Sequence, residues 1–161
     1  MNEFLFRMPT RVIFGAGSLR KVPQLCKEQG FARIFIVTGS SSTSQSPHLH
    51  ELIADLNALG ISTQVFSEVE ADPSVETVTK GAAELTAFGA DAAIAFGGGS
   101  PMDAAKSIAM ISANGGSILD YMRVRKVYTK RPVPLICIPT TAGTGSEVTA
   151  AAVTTDKEAR E

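Results

Sequence analysis

The stretch AFGGGSPMDAAK, residues 95–106, decides the fold, because three consecutive glycines in it separate an apolar run from the start of a helix. The apolar run that ends at the glycines, residues 92–96, predicts a buried strand. Ser100 is a favourable helix cap, and Pro101 suits a first helical turn, where no backbone donor is lost. The stretch therefore predicts a strand that passes through an unusually bare turn into a helix.

The same alternation of strand and helix extends along the chain. Helices are expected to begin near Ser18, at Ser46-Pro47, at Asp72-Pro73 and at Ser100-Pro101. Continuous apolar runs predict strands at residues 33–37, 92–96 and 134–138, and the more alternating run at residues 62–66 predicts a strand near an edge of the sheet. Short strands separated by helices pair in parallel, because parallel neighbours need a long connection. The sequence thus predicts one domain over residues 1–161. Its class is α/β, a doubly wound, mostly parallel, Rossmann-like sheet preceded by an N-terminal β-hairpin over residues 4–14.

Composition restricts the class of protein. The 161 residues carry a net charge of −1 and are 44% apolar and 19% charged, which is typical of a globular domain. Such a charge gives no electrostatic attraction to nucleic acid or to an anionic membrane, and no apolar run approaches a membrane span. The N-terminus resembles no secretory signal, so we expect a cytoplasmic protein. Cys26 and Cys137 fit no zinc spacing and are expected to be free thiols.

The glycine turn, residues 97–100, lies at the carboxyl end of a predicted strand, where α/β sheets bind ligands. Bare amides and a helix N-terminus together favour an anion such as phosphate, although a tight turn without ligand is the alternative reading. The turn matches neither G-x-G-x-x-G nor the P-loop. Asp103 completes a capping box with Ser100 or contacts the ligand. Lys106 either adds charge near the site or is an exposed helix lysine, and the latter is favoured.

Two further loops follow predicted strands. Residues 140–149 are rich in hydroxyls and glycine and can bond a phosphate, a ribose or an amide, although Ser146 can instead cap a helix. The loop at Gly39, Ser40 and Ser41 carries no carboxylate, so it tolerates a 2′-phosphate. Loops at the ends of neighbouring strands suggest a dinucleotide, either NADP or NAD, with NADP favoured.

The segments GGGSPMDAAK (residues 97–106) and IPTTAGTGSEVT (residues 138–149), with FRMPTRVIFGAGSL and DPSVETV, resemble the iron-containing (group III) alcohol dehydrogenase family. The resemblance implies a diphosphate site at residues 98–102 and nicotinamide contacts from residues 140–144. It also places Gly39 where NAD-preferring members often carry Asp. No catalytic residue and no metal ligand is assigned. The candidate cofactor-binding residues are Gly39, Ser40, Ser41, Gly97, Gly98, Gly99, Ser100, Pro101, Met102, Asp103, Thr140, Thr141, Ala142, Gly143, Thr144, Thr149 and Val153.

The resemblance also implies reversible hydride transfer between a nicotinamide cofactor and a small alcohol or aldehyde. In the family a helical second domain holds Fe²⁺ or Zn²⁺, and we expect that domain to be absent here, so the chain is expected to be inactive alone. The alternatives are a non-catalytic nucleotide-binding or self-association module and part of a polyol-phosphate dehydrogenase. An unpaired sheet edge favours a homo-oligomer.

Overall fold

A computed structural model describes residues 10–40, 42–122 and 126–159. Four parallel strands form one sheet in the order β2-β1-β3-β4. This architecture confirms the predicted doubly wound α/β fold. The strands are β1 (Arg33–Gly39), β2 (Ser62–Val69), β3 (Ala92–Gly97) and β4 (Leu135–Pro139), and the helices are α1 (Val22–Glu28), α2 (Pro47–Ala58), α3 (Val75–Phe88), α4 (Gly99–Asn114) and α5 (Ile118–Tyr121).

Side chains of the two central strands point alternately into two apolar layers. Phe35 and Val37 of β1 pack with residues of α3, α4 and α5, whereas Ile34 and Ile36 pack with residues of α1 and α2. All six residues of β3 are buried. Burial on both faces explains why these strands are continuous apolar runs rather than alternating ones.

The edge position predicted for residues 62–66 is confirmed, because β2 is the outermost strand beside β1. Val65 of this strand is 39% exposed. Within the described residues β4 forms the opposite edge and is only half-buried. The sheet therefore has a buried centre formed by β1 and β3, and the loops that leave these strands start from rigid supports.

Two predicted helix caps are wrong. Ser74, not Asp72, caps α3, because its Oγ accepts a hydrogen bond from the Thr77 amide at 3.3 Å. Asp72 lies in a turn before the helix with a left-handed φ of 54°. At α4 the cap residue is Gly98, so Ser100 is already inside the helix. In both cases the observed cap lies two residues away from the aspartate or serine that the pattern favoured.

Two further features of the sequence behave differently from expectation. Residues 4–9 of the predicted hairpin lie outside the described part of the chain, and residues 10–14 are exposed and form no strand.

The short helix α5 was not predicted, although a capping box marks its start. The Oγ of Ser117 accepts from the Leu119 amide, and the Asp120 carboxylate accepts from the Ser117 amide, both at 3.2 Å.

The two cysteines are free thiols, as the sequence predicted. Cys26 of α1 is fully buried in the apolar layer beneath that helix, and burial together with the charge of Asp91 raises the pKa of its thiol to about 11. Cys137 in β4 is half-buried.

Across the described ranges, none of the helices combines the length and the apolar character needed to cross a bilayer.

Helices α3 and α4 pack closely together at Gly81. A methyl group placed on Gly81 would lie 2.4 Å from Cδ1 and 2.8 Å from Cγ1 of Ile108, and 3.4 Å from Cε1 of Phe66. Gly81 therefore has a packing role that outweighs its poor helix propensity.

We predict that Gly81→Ala lowers the free energy of unfolding by up to about 2 kcal/mol. Overpacking costs about 1–3 kcal/mol, which the better helix propensity of alanine offsets only by about 1 kcal/mol. Urea unfolding monitored by circular dichroism measures the change.

The control removes the obstructing side chain. In an Ile108→Ala background the same Gly81→Ala change should stabilise the protein by about 1 kcal/mol, because only the propensity difference remains. Ala83→Gly on the exposed face of α3 calibrates that propensity difference. Equal effects of Gly81→Ala in both backgrounds would contradict the packing role.

Candidate functional site

Three loops meet at the carboxyl edge of the sheet, where β1, β3 and β4 end. The Thr140 amide donates to the Gly97 carbonyl at 2.9 Å, which joins the loop after β4 to the glycine turn after β3. On the other side, a methyl group on Gly39 would lie 3.8 Å from Cγ of Pro101. The glycine turn is thus the centre of this arrangement, and the two other loops flank it.

The absence of side chains at residues 97–99 is a steric requirement. Gly97 has a φ of 153°, and a methyl group on it would lie 2.7 Å from Cγ of Pro101. A methyl group on Gly98 would lie 3.1 Å from Oγ1 of Thr141, and one on Gly99 would lie 3.2 Å from Cγ2 of Thr144. Backbone at these positions is therefore accessible to a neighbour or a ligand at a closeness that only glycine permits.

The first turn of α4 presents amides at this turn. Gly98 occupies the cap position, and its carbonyl accepts from the Met102 amide at 3.3 Å. Pro101 has no amide hydrogen, and the amides of Gly99 and Ser100 lie too early in the helix to have an intrahelical acceptor. A helix of 16 residues places its partial positive charge at these amides. The turn therefore suits an anion.

Lys106 is not the exposed lysine that the sequence favoured, because its side chain is only 13% exposed. Its Nζ donates to Oγ of Ser146 and to the Ala151 carbonyl at 2.7 Å each, and to Oγ1 of Thr149 at 3.3 Å. It also lies 3.3 Å from Oδ1 of Asp103. The ammonium group is thus enclosed by acceptors of the protein itself.

Asp103 does not form the predicted capping box with Ser100. Its Oδ1 accepts from Oγ of Ser146 and from Lys106, and its Oδ2 accepts from the Val153 amide at 3.1 Å. The correction has a simple cause: Ser100 lies within the helix, so it is not in a cap position, and the Asp103 carboxylate turns toward residues that follow β4. The hydroxyl of Ser146 is occupied by its bonds with Asp103 and Lys106. Ser146 is the first residue of a short 3₁₀ turn, Ser146–Val148, but its side chain therefore does not cap that turn.

Residues 150–157, called the strap below, run from this cluster toward the start of α3. Oγ of Ser107 and Oγ1 of Thr154 lie 3.2 Å apart. The Thr155 amide donates to the Pro73 carbonyl at 2.8 Å. The strap therefore connects α4 with the turn before α3.

Glu70 fastens the far end of the strap. It accepts from Oγ1 of Thr77 at 2.7 Å, from the Ser74 amide at 3.2 Å and from Nζ of Lys157 at 3.1 Å. Desolvation raises the pKa of this carboxyl, but hydrogen bonds from its own backbone, Thr77, Ser74 and Lys157 outweigh it and hold the pKa at about 2.

The remaining predicted residues divide by exposure. Residues 140–144 and Ser40 are exposed, and Gly98, Gly99 and Ser100 are half-buried. Val153 is 63% exposed, whereas Met102 is fully buried in the core. Ser41 lies outside the described residues.

The described residues do not provide a metal centre. In residues 10–40, 42–122 and 126–159 no three His, Cys, Asp or Glu side chains lie close enough together to hold a metal ion. The donor set of the site consists of backbone amides and hydroxyls, which suits an anionic organic ligand better than a cation.

A parallel α/β sheet with helices on both faces and with a helix N-terminus and two small-residue loops at its carboxyl edge defines the Rossmann-like class of fold. Within that class the chain belongs to the iron-containing alcohol dehydrogenase family, whose sequence model matches residues 9–161.

Similar proteins include dehydrogenases and a reductase. The chain is 37% identical over 153 residues to the NAD-dependent methanol dehydrogenase of Bacillus methanolicus, covering 94% of this chain and 39% of that protein. It is 33% identical over 161 residues to the probable NADH-dependent butanol dehydrogenase 1 of Bacillus subtilis, covering 100% of this chain and 41% of that protein. The crystal structure of sulfoacetaldehyde reductase from Bifidobacterium kashiwanohense in complex with NAD⁺ superposes with a TM-score of 0.93 at 29% identity, over 100% of this chain and 42% of that one. The chain thus spans about two fifths of the length of these proteins.

We predict that Glu70→Gln lowers the free energy of unfolding at pH 7 by about 1–2 kcal/mol, because hydrogen bonds to the ionised carboxylate are lost. The pKa of about 2 in the folded protein lies below the ordinary glutamate pKa of 4.5, so this stabilisation is complete above pH 4.5 and is lost as the pH falls toward 2. Thermal unfolding between pH 7 and pH 2.5 should show the wild type and the variant converging.

The matched control is Glu68→Gln, which removes an exposed ion pair with Lys80 on the same side of the molecule. It should cost less than Glu70→Gln at pH 7. A difference between wild type and Glu70→Gln that stays constant down to pH 2.5 would show that the carboxylate charge is irrelevant.

Proposed function

We propose that this chain is the cofactor-binding part of a nicotinamide-dependent alcohol dehydrogenase, with residues 97–102 holding the diphosphate of the dinucleotide. One observation carries the proposal: three positions without side chains bring helix amides to the point where three loops meet. A Cβ on any of the three glycines would enter space next to Pro101, Thr141 or Thr144. Such a cradle suits the diphosphate, which is the part of the cofactor that needs backbone donors and little bulk.

The strand order supports an orientation for the rest of the cofactor. β3 lies between β1 and β4, so a dinucleotide centred on the glycine turn extends over the ends of both neighbours. We place the adenosine half toward Gly39 and Ser40 after β1. The nicotinamide half then lies toward residues 140–144 after β4, where hydroxyls and amides can bond its carboxamide.

The cofactor would supply the hydride acceptor or donor for an alcohol and its aldehyde, and the chain's residues would bind and orient it. Relatives described as methanol and butanol dehydrogenases support an alcohol or aldehyde as substrate. The described residues do not fit a metal ion, so we assign no catalytic step to them. We therefore propose that the 161-residue chain binds the dinucleotide but does not oxidise alcohols by itself.

Cofactor choice is proposed to depend on the loop after β1. Relatives are described as NAD- and NADH-dependent, which supports a nicotinamide cofactor in general. In this chain the loop holds Gly39 and Ser40 and no carboxylate from residue 38 to residue 46. Since no negative charge repels a 2′-phosphate there, we propose that NADP binds at least as well as NAD.

We predict that Gly39→Asp lowers the affinity for NADPH about tenfold and leaves that for NADH unchanged or higher, because like charges repel over a short distance. The substitution fits, since a Cβ on Gly39 would lie 3.6 Å from the Val69 carbonyl oxygen, an ordinary contact. Fluorescence titration of each cofactor measures the effect.

Gly39→Ala is the uncharged control and should change neither affinity strongly. If the wild type binds neither cofactor below millimolar concentration, the proposed function fails. If it binds NADH much more tightly than NADPH, the role given to Gly39 is wrong.

We also predict that Gly99→Ala weakens NADH and NADPH equally, by about tenfold, because its methyl group competes with Thr144 for space at the cradle. Thr144→Ser removes the Cγ2 that lies 3.2 Å from that methyl position, so the double variant should regain part of the affinity. Full affinity in Gly99→Ala, measured by the same titration, would place the diphosphate elsewhere.

A further inference from the structure

We propose that Lys106 is a positioning residue, which fixes the end of the loop at residues 140–149 and the start of the strap against α4 and so preorganises the nicotinamide side of the site. The inference rests on the proposed function for its effect on cofactor affinity. Its structural part, the fastening of the loop, is independent of any ligand.

The contacts of the ammonium group carry the inference. Three of its acceptors belong to residues that follow β4: Ser146, Thr149 and the Ala151 carbonyl, at 2.7, 3.3 and 2.7 Å. The fourth, Asp103, lies one turn earlier on α4 at 3.3 Å. One group on a rigid helix therefore connects three points of an otherwise irregular segment.

The loop itself offers little alternative support. Residues 140–144 are exposed, and Gly143 and Gly145 have positive φ angles of 131° and 65°. One end is held by the bond from the Thr140 amide to the Gly97 carbonyl. The other end depends on the cluster around Lys106, where Asp103 also accepts from the Val153 amide. Without the ammonium group the second anchor loses most of its bonds.

The charges explain why removing one partner would be costly. Asp103 and Lys106 are 16% and 13% exposed, so each is largely withdrawn from water and compensated by the other. A charge left without its partner in such surroundings is destabilising. The carboxylate additionally holds Ser146 and Val153, so the pair acts as one unit across the helix and the strap.

The contacts of Lys106 distinguish a positioning role from direct binding of an anion by its ammonium group. The acceptors around Nζ already exceed the three protons of an ammonium group, so no donor remains for the cofactor's diphosphate. The contribution of Lys106 to affinity should then come from an ordered loop, which lowers the entropic cost of binding. Binding of an anion that reaches only the glycine turn should be independent of Lys106.

The test uses Lys106→Met, which keeps the aliphatic stem, and Lys80→Met on α3 as a matched control. Hydrogen exchange of the ligand-free 161-residue chain should be at least tenfold faster at residues 144–153 in Lys106→Met, with β1 and β3 unchanged. Titration should show NADH and NADPH binding about tenfold more weakly, and inorganic pyrophosphate should compete equally well in wild type and variant. Lys80→Met should leave all three measurements unchanged.

Unchanged exchange at residues 144–153 would overturn the inference, and so would faster exchange with unaltered dinucleotide affinity. Equal weakening of pyrophosphate would assign Lys106 to the anion directly and overturn it as well. If Lys106→Met does not fold, Ser146→Ala removes one acceptor while keeping both charges, and it should accelerate exchange in the same segment by a smaller factor. If the wild type binds no dinucleotide, the proposed function fails, and the exchange data still decide whether Lys106 fastens the loop.

Discussion

The site depends on one steric constraint, which is that the backbone after β3 must run between two neighbouring loops without side chains of its own. Methyl groups at residues 97–99 would approach Pro101, Thr141 and Thr144 to between 2.7 and 3.2 Å. Because this space is free, the loop after β4 can bond to the Gly97 carbonyl and the first turn of α4 can face outward. The conformational entropy that three glycines lose on folding is offset by this close approach.

Helix α4 supports more of the site than its first turn. Its second turn carries Asp103 and Lys106, and these bond to residues that follow β4. The same helix packs across Gly81 onto α3, whose start is joined to the strap through the Pro73 carbonyl. The glycine turn, the loop after β4 and the strap therefore share one rigid support, and a displacement of α4 would move all of them together.

Much of the fold follows from local pattern. Continuous apolar runs located β1 and β3, because burial on both faces leaves no alternation to misread. The more alternating run at residues 62–66 located β2, which is a partly exposed edge strand. The glycine turn was recognisable in the sequence because the close contacts at residues 97–99 leave no space for side chains, so these positions must be glycine. The helix starts at Ser74 and Gly98 were missed, since several residues near each start can cap and tertiary contacts choose among them. The bonds of Lys106 join residues 40–45 positions apart, and no local pattern contains them.

The wide sequence separation within the Lys106 cluster and the Glu70 cluster has a consequence for how the molecule assembles. Glu70 meets Lys157 across 87 positions, and Asp103 meets Val153 across 50. Contacts that close such long loops form late, after the local helices and the first strand pairs are in place. During synthesis from the N-terminus, the sheet centre and the glycine turn can thus form on the ribosome before the segments that complete the cofactor edge have emerged.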